Sequence, residues 1–346
     1  MNFSKNITRW YSENKRDLPW RHTTNPYFIW LSEIMLQQTQ VKQGLPYYKK
    51  FINAFPTVFD LAKSDEQNVL KLWQGLGYYS RARNLHYTAK YIANELNGKF
   101  PSTYTEILKL KGVGDYTASA IASIAFGEVT AVVDGNVYRV LSRFFGINTP
   151  INSTKGIKEF KALATNLIDK KEPALFNQAI MEFGAQHCKP KNPYCIVCPL
   201  QEACVAFQKN KISELPIKLK KTKIRSRYFN YLIFTDQKQN TLLEKRTAKG
   251  IWHNLYQFPL IETDKSLDIS EFETTLNSYP LLKGKSFDFS LYNETDIVHK
   301  LSHQHLHTKF WIVEVQSLPE KRISTKNLSE YPVPVLIGDF ISKFTF

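Results

Sequence analysis

Apolar residues in the first 208 positions recur at three- and four-residue intervals, the spacing that lays one stripe along a helix. Leu31, Ile34, Met35 and Val41 follow it within WLSEIMLQQTQV and predict a helix over 27–42. The same reading predicts helices over 4–14, 45–54, 57–62, 66–73, 79–97, 103–110, 115–126, 136–145, 155–169 and 174–184, with Gly or Pro at the breaks. Beyond residue 227 the period changes. RYFNYLIFTD, NTLLEKR, YQFPLIE and HTKFWIVEVQ are β-branched and aromatic runs parted by polar turns such as DQKQN. The pattern predicts a mainly α domain over 1–208, a linker over 209–227 and an α+β domain over 228–346, with no repeat of about 20–50 residues.

The chain has 346 residues, 43% hydrophobic and 14% aromatic, enough to bury two cores and too much for a disordered polypeptide. It has no run of about 18 apolar residues, so no membrane span is expected. MNFSKNITRWYSENKR lacks the apolar core of a signal peptide, and a cytoplasmic location is expected. The net charge of +15 is unevenly spread. Residues 1–208 hold 25 Lys+Arg against 16 Asp+Glu, residues 209–227 eight against one, and residues 228–346 13 against 14. The whole excess precedes Tyr228 and points to a polyanionic partner for that part of the chain.

Four clusters carry candidate chemistry. Cys188, Cys195, Cys198 and Cys204 are the only cysteines and follow a C-x6-C-x2-C-x5-C spacing. Disulfides are disfavoured in a reducing cytoplasm, which leaves a soft metal: zinc or an iron–sulfur cluster. Structural zinc sites usually bring two close pairs, whereas only Cys195 and Cys198 are close here, and four thiolates suit a [4Fe–4S] cube. LKGVG (110–114) separates two predicted helices; Gly112 and Gly114 permit close backbone approach where the second helix opens its amides to an anion. Asp134 ends an apolar run just before a helix, where an Asp caps the first turn and remains compatible with a catalytic role. Glu33 is the lone carboxylate of WLSEIMLQQTQ. The segment alone leaves it either a solvated charge or a buried acid whose pKa burial would raise. His303, His305 and His307 would share one face of a strand, but no carboxylate or cysteine beside them completes a metal-ligand set.

In combination these features are specific. The LKGVG hairpin, the downstream VVDGNV and the cysteine spacing resemble the endonuclease III superfamily of helix–hairpin–helix DNA glycosylases. DLPWR (17–21), WLSEIMLQQTQV (30–41), QGLGYYSRARNLH (74–86), VDGNVYRVLSR (133–143) and FNQAIMEFGAQHC (176–188) resemble its adenine DNA glycosylase (MutY) family. The likeness is close over 1–208 and looser over 209–346, where GIWHNLYQFP (250–259) resembles that family's Nudix-like (MutT-like) domain.

The resemblance implies a helical helix–hairpin–helix glycosylase domain with a [4Fe–4S] loop at 188–204, followed by a C-terminal α+β Nudix-like lesion-recognition domain. It implies a nucleoid-associated monomer that flips adenine from double-stranded DNA and hydrolyses its N-glycosidic bond at A:8-oxoguanine or A:G mispairs. Glu33 then matches the acid that protonates adenine, and Asp134 the ionised carboxylate facing the sugar, with Tyr116 and Asn136 assisting. Arg16, Leu18, Trp20, Arg21, Gln178, Met181 and Glu182 would line the adenine pocket. Gln38 and Tyr78 would enter the duplex, Thr39 and Leu76 would touch 8-oxoguanine, and His299 and Ser302 would face its N7–H and O8.

There are three departures from related patterns. Leu301-Ser302-His303 stands where the family has F-S-H, which bears on the strength of lesion discrimination. Tyr116 stands where lyase-type relatives carry a Schiff-base lysine, and Tyr138 likewise lacks an amine, so a monofunctional enzyme is expected. The acidic helix of active Nudix hydrolases is missing from 228–346, which makes that domain a reader. The alternatives are an endonuclease III-like glycosylase/lyase acting on oxidised pyrimidines and a non-catalytic iron–sulfur DNA-binding protein.

Overall fold

The computed structural model describes residues 3–219 and 224–346; positions 220–223 of the basic linker lie outside the described residues. The helices are α1 (Phe3–Asn14), α2 (Pro26–Leu36), α3 (Val41–Ala54), α4 (Val58–Lys63), α5 (Glu66–Trp73), α6 (Ser80–Glu95) and α7 (Tyr104–Ile107). They continue with α8 (Asp115–Phe126), α9 (Gly135–Phe145), α10 (Thr154–Leu167), α11 (Pro173–Gln186), α12 (Val205–Gln208), α13 (Ile269–Asn277) and α14 (Val335–Lys343). None of them is long and apolar enough to cross a membrane.

The chain divides into two compact units, each assembled from separate pieces of sequence: 1–63 with 83–220, and 64–82 with 221–346. In the first unit, local chemistry sets the helix ends that matter for the site. Asn25 caps α2 by accepting from the Tyr27 amide, and Pro26 pre-sets its first turn. Gly127 and Gly146 end α8 and α9 in the left-handed conformation that glycine adopts without strain. The helix expected over 27–42 stops at Leu36. Gln37–Gln40 form a turn through Gln38 (φ +55°), and α3 begins at Val41. No Gly or Pro marks this break, and apolar residues on both sides keep the period running through it. α2 is apolar on nearly every face and buried from Ile29 to Met35, as a helix surrounded by others must be. Phe3, Ile7 and Tyr11 of α1, Val137, Val140 and Leu141 of α9, and Phe176, Ile180 and Phe183 of α11 form a shared core.

The second unit is built on a sheet. Strands β1 (Arg225–Asp236), β2 (Asn240–Thr241), β3 (Glu244–Lys245), β4 (Tyr256–Gln257), β5 (Leu260–Thr263), β6 (Phe287–Leu291), β7 (Ile297–Lys300), β8 (Gln304–Val315) and β9 (Ile323–Ser324) follow in order. The main sheet runs β5-β1-β8-β6, with β7 also on β8; β1 and β8 are parallel and the other pairs antiparallel. Both faces of the central strands are covered. Phe272 of α13 stacks on Trp311 at 4.0 Å, and Phe340 of α14 stacks on Phe310 at 4.3 Å. This is why β1 is buried without alternation from Phe229 to Phe234, Asn230 included.

Residues 64–82 bond into this same unit. Glu66 accepts from Asn254 (2.6 Å), Gln67 from Tyr256 (3.3 Å) and Gln74 from the Val333 amide (3.3 Å), while Lys71 donates to the Tyr331 carbonyl (3.0 Å).

Candidate active site

Asp134 precedes α9 and caps it: its carboxylate accepts from the amides of Asn136 (2.9 Å) and Val137 (2.8 Å) and from Asn136 Nδ2 (2.7 Å). Glu33 projects from buried α2 and is only 7% exposed, so of its two possible environments it occupies the apolar one. Tyr116 stands in the first turn of α8, where its single O–H lies within hydrogen-bonding reach of both Glu33 and Met181 Sδ (3.2 Å). These groups line one cavity of about 650 Å³, within the range of small-molecule ligand pockets. Its wall also carries Arg16, Leu18, Trp20, Arg21, Gln38, Thr39, Asn136, Gln178, Met181 and Glu182.

The two carboxyl groups differ in their donors. Burial lifts Glu33 to a pKa of about 7; Tyr116 opposes this, and the nearby Asp134 charge adds to it. Burial also raises Asp134, but its three hydrogen bonds and the Arg139 charge pull it back. Two such neighbours titrate as a pair, and the first proton settles on Glu33, which has fewer donors to stabilise its anion. The arrangement therefore sets a carboxyl that keeps its proton toward neutrality beside one whose anion is better supplied with donors.

The remaining polar wall is held by buried charge. Glu182, 1% exposed, receives the Nε, Nη2 and amide N–H of Arg16 and the Nη2 of Arg21, which together hold its carboxyl down at about 2. Arg16 thus spends these donors inside the wall. Gln178 Oε1 accepts from Tyr11 (2.7 Å). Trp20 lines the cavity while packing edge-on against Tyr48 at 5.0 Å.

Several expected residues stand away from this cavity. Gly112 lies at φ +82° in the hairpin, where a Cβ would meet Asn84 at 2.7 Å; Gly114 caps α8. Tyr138 packs on Phe160 and lines a different cavity. Leu76, Tyr78, His299 and Ser302 belong to the second unit. Leu76 is buried at 4% exposure, whereas Tyr78 sits at φ +49°, is 46% exposed and hydrogen-bonds Ser302 Oγ at 2.5 Å. His299 is half-buried beside Trp252 (5.8 Å), and burial pushes its pKa down.

Among the described residues, no three His, Cys, Asp or Glu side chains converge on a single-ion site, the histidine strand included. The four thiols are nonetheless neighbours: the charges of Cys188 and Cys204 each raise Cys195 and Cys198. Arg143 lies against this loop. It is 2% exposed, and its donors go to the carbonyls of Leu215, Lys189 and Pro190 and to Cys188 Sγ (3.5 Å), with no carboxylate within 4 Å among the described residues. A buried guanidinium needs a counter-charge, and a thiolate-ligated cluster supplies one. Arg139 links the two regions, bonding Asn136 Oδ1 (2.8 Å) on the Asp134 side and the Cys188 carbonyl (2.7 Å) on the other.

Sequence reasoning missed Arg139, Arg143 and Asn177. Their types carry no motif in isolation; the available signal was polar residues at core-facing positions of amphipathic helices.

A helical unit with a helix–hairpin–helix, a cavity holding paired carboxyl groups and a neighbouring four-cysteine loop define a base-excision DNA glycosylase. The family model described as "HhH-GPD superfamily base excision DNA repair protein" matches residues 31–165, and a NUDIX domain model matches 230–343. The adenine DNA glycosylase of Buchnera aphidicola subsp. Baizongia pistaciae is 39% identical over 319 residues, 90% of this chain and 86% of that protein. The human adenine DNA glycosylase is 45% identical over 216 residues, 60% of this chain and 40% of that protein. A solved thermostable thymine-DNA glycosylase superposes with a TM-score of 0.56 at 33% identity, covering 60% of this chain and 95% of that one. The chain belongs to the adenine DNA glycosylase family and is a DNA repair N-glycosyl hydrolase.

Proposed function

We propose that the chain removes adenine lying opposite 8-oxoguanine, and opposite guanine, from duplex DNA, acting as a monomeric and monofunctional glycosylase. Its basic first 227 residues draw in the backbone phosphates, and the adenine nucleotide rotates out of the stack into the 650 Å³ cavity. Cleavage of the N-glycosidic bond leaves electrons on the purine and positive charge on the sugar. Glu33, protonated near neutrality, gives its proton to adenine N7. Asp134, with three donors on its carboxylate, stays ionised and stabilises the oxocarbenium-like sugar. Glu33, now deprotonated, then assists the incoming nucleophile. Trp20 and Leu18 face the ring, and Gln178 reads its polar edge. Tyr116 has no amine, so no Schiff base with the sugar forms there.

Cys188, Cys195, Cys198 and Cys204 would hold a [4Fe–4S] cluster, with Arg143 as its buried counter-charge. When bound, that cluster supplies a fixed anionic staple for its loop. In the second unit, Tyr78 and Ser302 are the residues we assign to the base opposite adenine.

The observation that carries this reading is the asymmetry of the two carboxyl groups in one cavity, one raised to about 7 and the other capped by three donors. The deciding experiment is single-turnover excision on duplexes with A opposite 8-oxoguanine, G, C and T, with borohydride trapping alongside. Excision opposite 8-oxoguanine and G with background trapping is expected; efficient covalent capture or preference for an oxidised pyrimidine would overturn the reading.

A further inference from the structure

Residues 127–134, between α8 and α9, have no regular secondary structure, yet they end at Asp134. Side chains hold them instead. Asn177, fully buried on α11, accepts from the Val132 amide (3.1 Å) and donates to the Thr130 carbonyl and to Ser123 Oγ (both 2.9 Å), tying the stretch to α11 and to the later turns of α8. These bonds do not reach the first turn of α8, where Tyr116 sits.

Lys161 of α10 makes that connection. Its Nζ donates to the Ala131 carbonyl (2.8 Å), to Ser119 Oγ (2.9 Å) and to the Asp115 carboxylate (3.0 Å). An ammonium has three donors and no acceptor, so its capacity is fully used. Asp115 is also held by the Tyr104 hydroxyl (2.7 Å), and the Tyr104 ring lies 5.6 Å from the ammonium. The side chain is 29% exposed and lines a cavity of about 660 Å³ shared with Val133 and Ile157, separate from the cavity that holds Glu33.

We propose that Lys161 is a positioning residue for glycosidic-bond cleavage: its ammonium bolts the first turn of α8, beside Tyr116, to the carbonyl three residues before Asp134, and so sets the spacing between the Tyr116–Glu33 pair and the carboxylate that faces the sugar. It touches neither base nor sugar. A displacement of about 1 Å in such a constellation costs roughly 100-fold in rate. The proposal rests on the glycosylase reading above.

The test compares wild type, Lys161→Met, which keeps the stem, and Lys161→Gln, which keeps two N–H donors on a shorter, uncharged stem. Lys158→Met, on the same cavity but with none of the three bonds, is the control. Single-turnover adenine excision gives a rate constant and an amplitude; melting temperature and duplex affinity are read in parallel. The expected result is a rate constant about 10- to 100-fold lower in Lys161→Met and less reduced in Lys161→Gln, at wild-type amplitude, melting temperature and affinity, with Lys158→Met unchanged. An unchanged rate constant overturns the proposal. Reduced amplitude and melting temperature at an unchanged rate constant make Lys161 merely structural, and weakened affinity makes it a DNA contact; each outcome also overturns it. A wild-type protein that excises another base carries the same comparison on that base and sinks only the adenine reading. A protein inert on every duplex sinks both.

Discussion

Among the described residues the two units differ in buried charge: the first holds several buried Glu and Arg side chains, the second only Arg81. The first buries Glu33, Glu182, Arg139, Arg143 and Asn177, each at 8% exposure or less, and keeps a cavity among them. The second fills its interior with Tyr231, Phe272, Phe310, Trp311 and Phe340 and presents Tyr78 at the surface. Desolvation strengthens the electrostatics that bond cleavage needs and is tolerated only where every buried charge is answered. The stacked aromatic core of the second unit makes a rigid platform for the few polar tips it exposes.

The largest expected effect falls on Glu33. Glu33→Gln should lower single-turnover excision by ~10²–10⁴-fold while duplex affinity holds, because a positioned proton donor contributes about that much; a rate near wild type would remove the first unit's claim to the chemistry. Next is the buried guanidinium. Arg143→Met removes the buried cation that would pair with a thiolate-held cluster and should cost about 3–5 kcal/mol, read as a lower melting temperature together with less iron bound per chain.

The same Glu33 sharpens the comparison through pH. Its folded pKa is about 7 against an ordinary 4.5. Protonation therefore favours the folded state: the contribution is fully present below the ordinary value and is lost as pH rises through about 7, where the fold bears a cost on the order of 3 kcal/mol. Glu33→Gln should accordingly stabilise the protein at about pH 8 and leave it unchanged at about pH 4, as measured by denaturant midpoints. Wild-type excision should fall along its alkaline limb as Glu33 deprotonates near 7. The smallest effect belongs to the second unit. Ser302→Ala removes one hydrogen bond worth ~1 kcal/mol and should slow excision opposite 8-oxoguanine by about fivefold while sparing A opposite G, in parallel single-turnover assays.

Legibility from sequence followed the range of the interactions involved. The helix expected over 115–126 is observed as Asp115–Phe126, because Gly114 and Gly127 punctuate it locally. The 27–42 helix overshot because Gln38 adopts the left-handed conformation with nothing nearby to announce it. Motif and spacing single out Asp134 and the cysteines as candidates. The state of Glu33 was not decidable from its own segment, since burial comes from helices distant in sequence. Lys161, Asn177 and Arg143 reach partners 30–72 residues away, which no local pattern encodes. Residues 64–82 read as one more part of the helical region, and their bonding to Asn254, Tyr256, Tyr331 and Val333 is invisible until the chain folds.

That last arrangement bears on how the molecule is made. During synthesis, Glu66, Gln67, Lys71 and Gln74 leave the ribosome roughly 180 residues ahead of their earliest hydrogen-bonding partners, and must wait for Asn254 to Val333 before those bonds can close. A premature stop anywhere in the linker therefore does more than delete the C-terminal sheet. It orphans a segment within the retained part, and with it the loop that bears Tyr78.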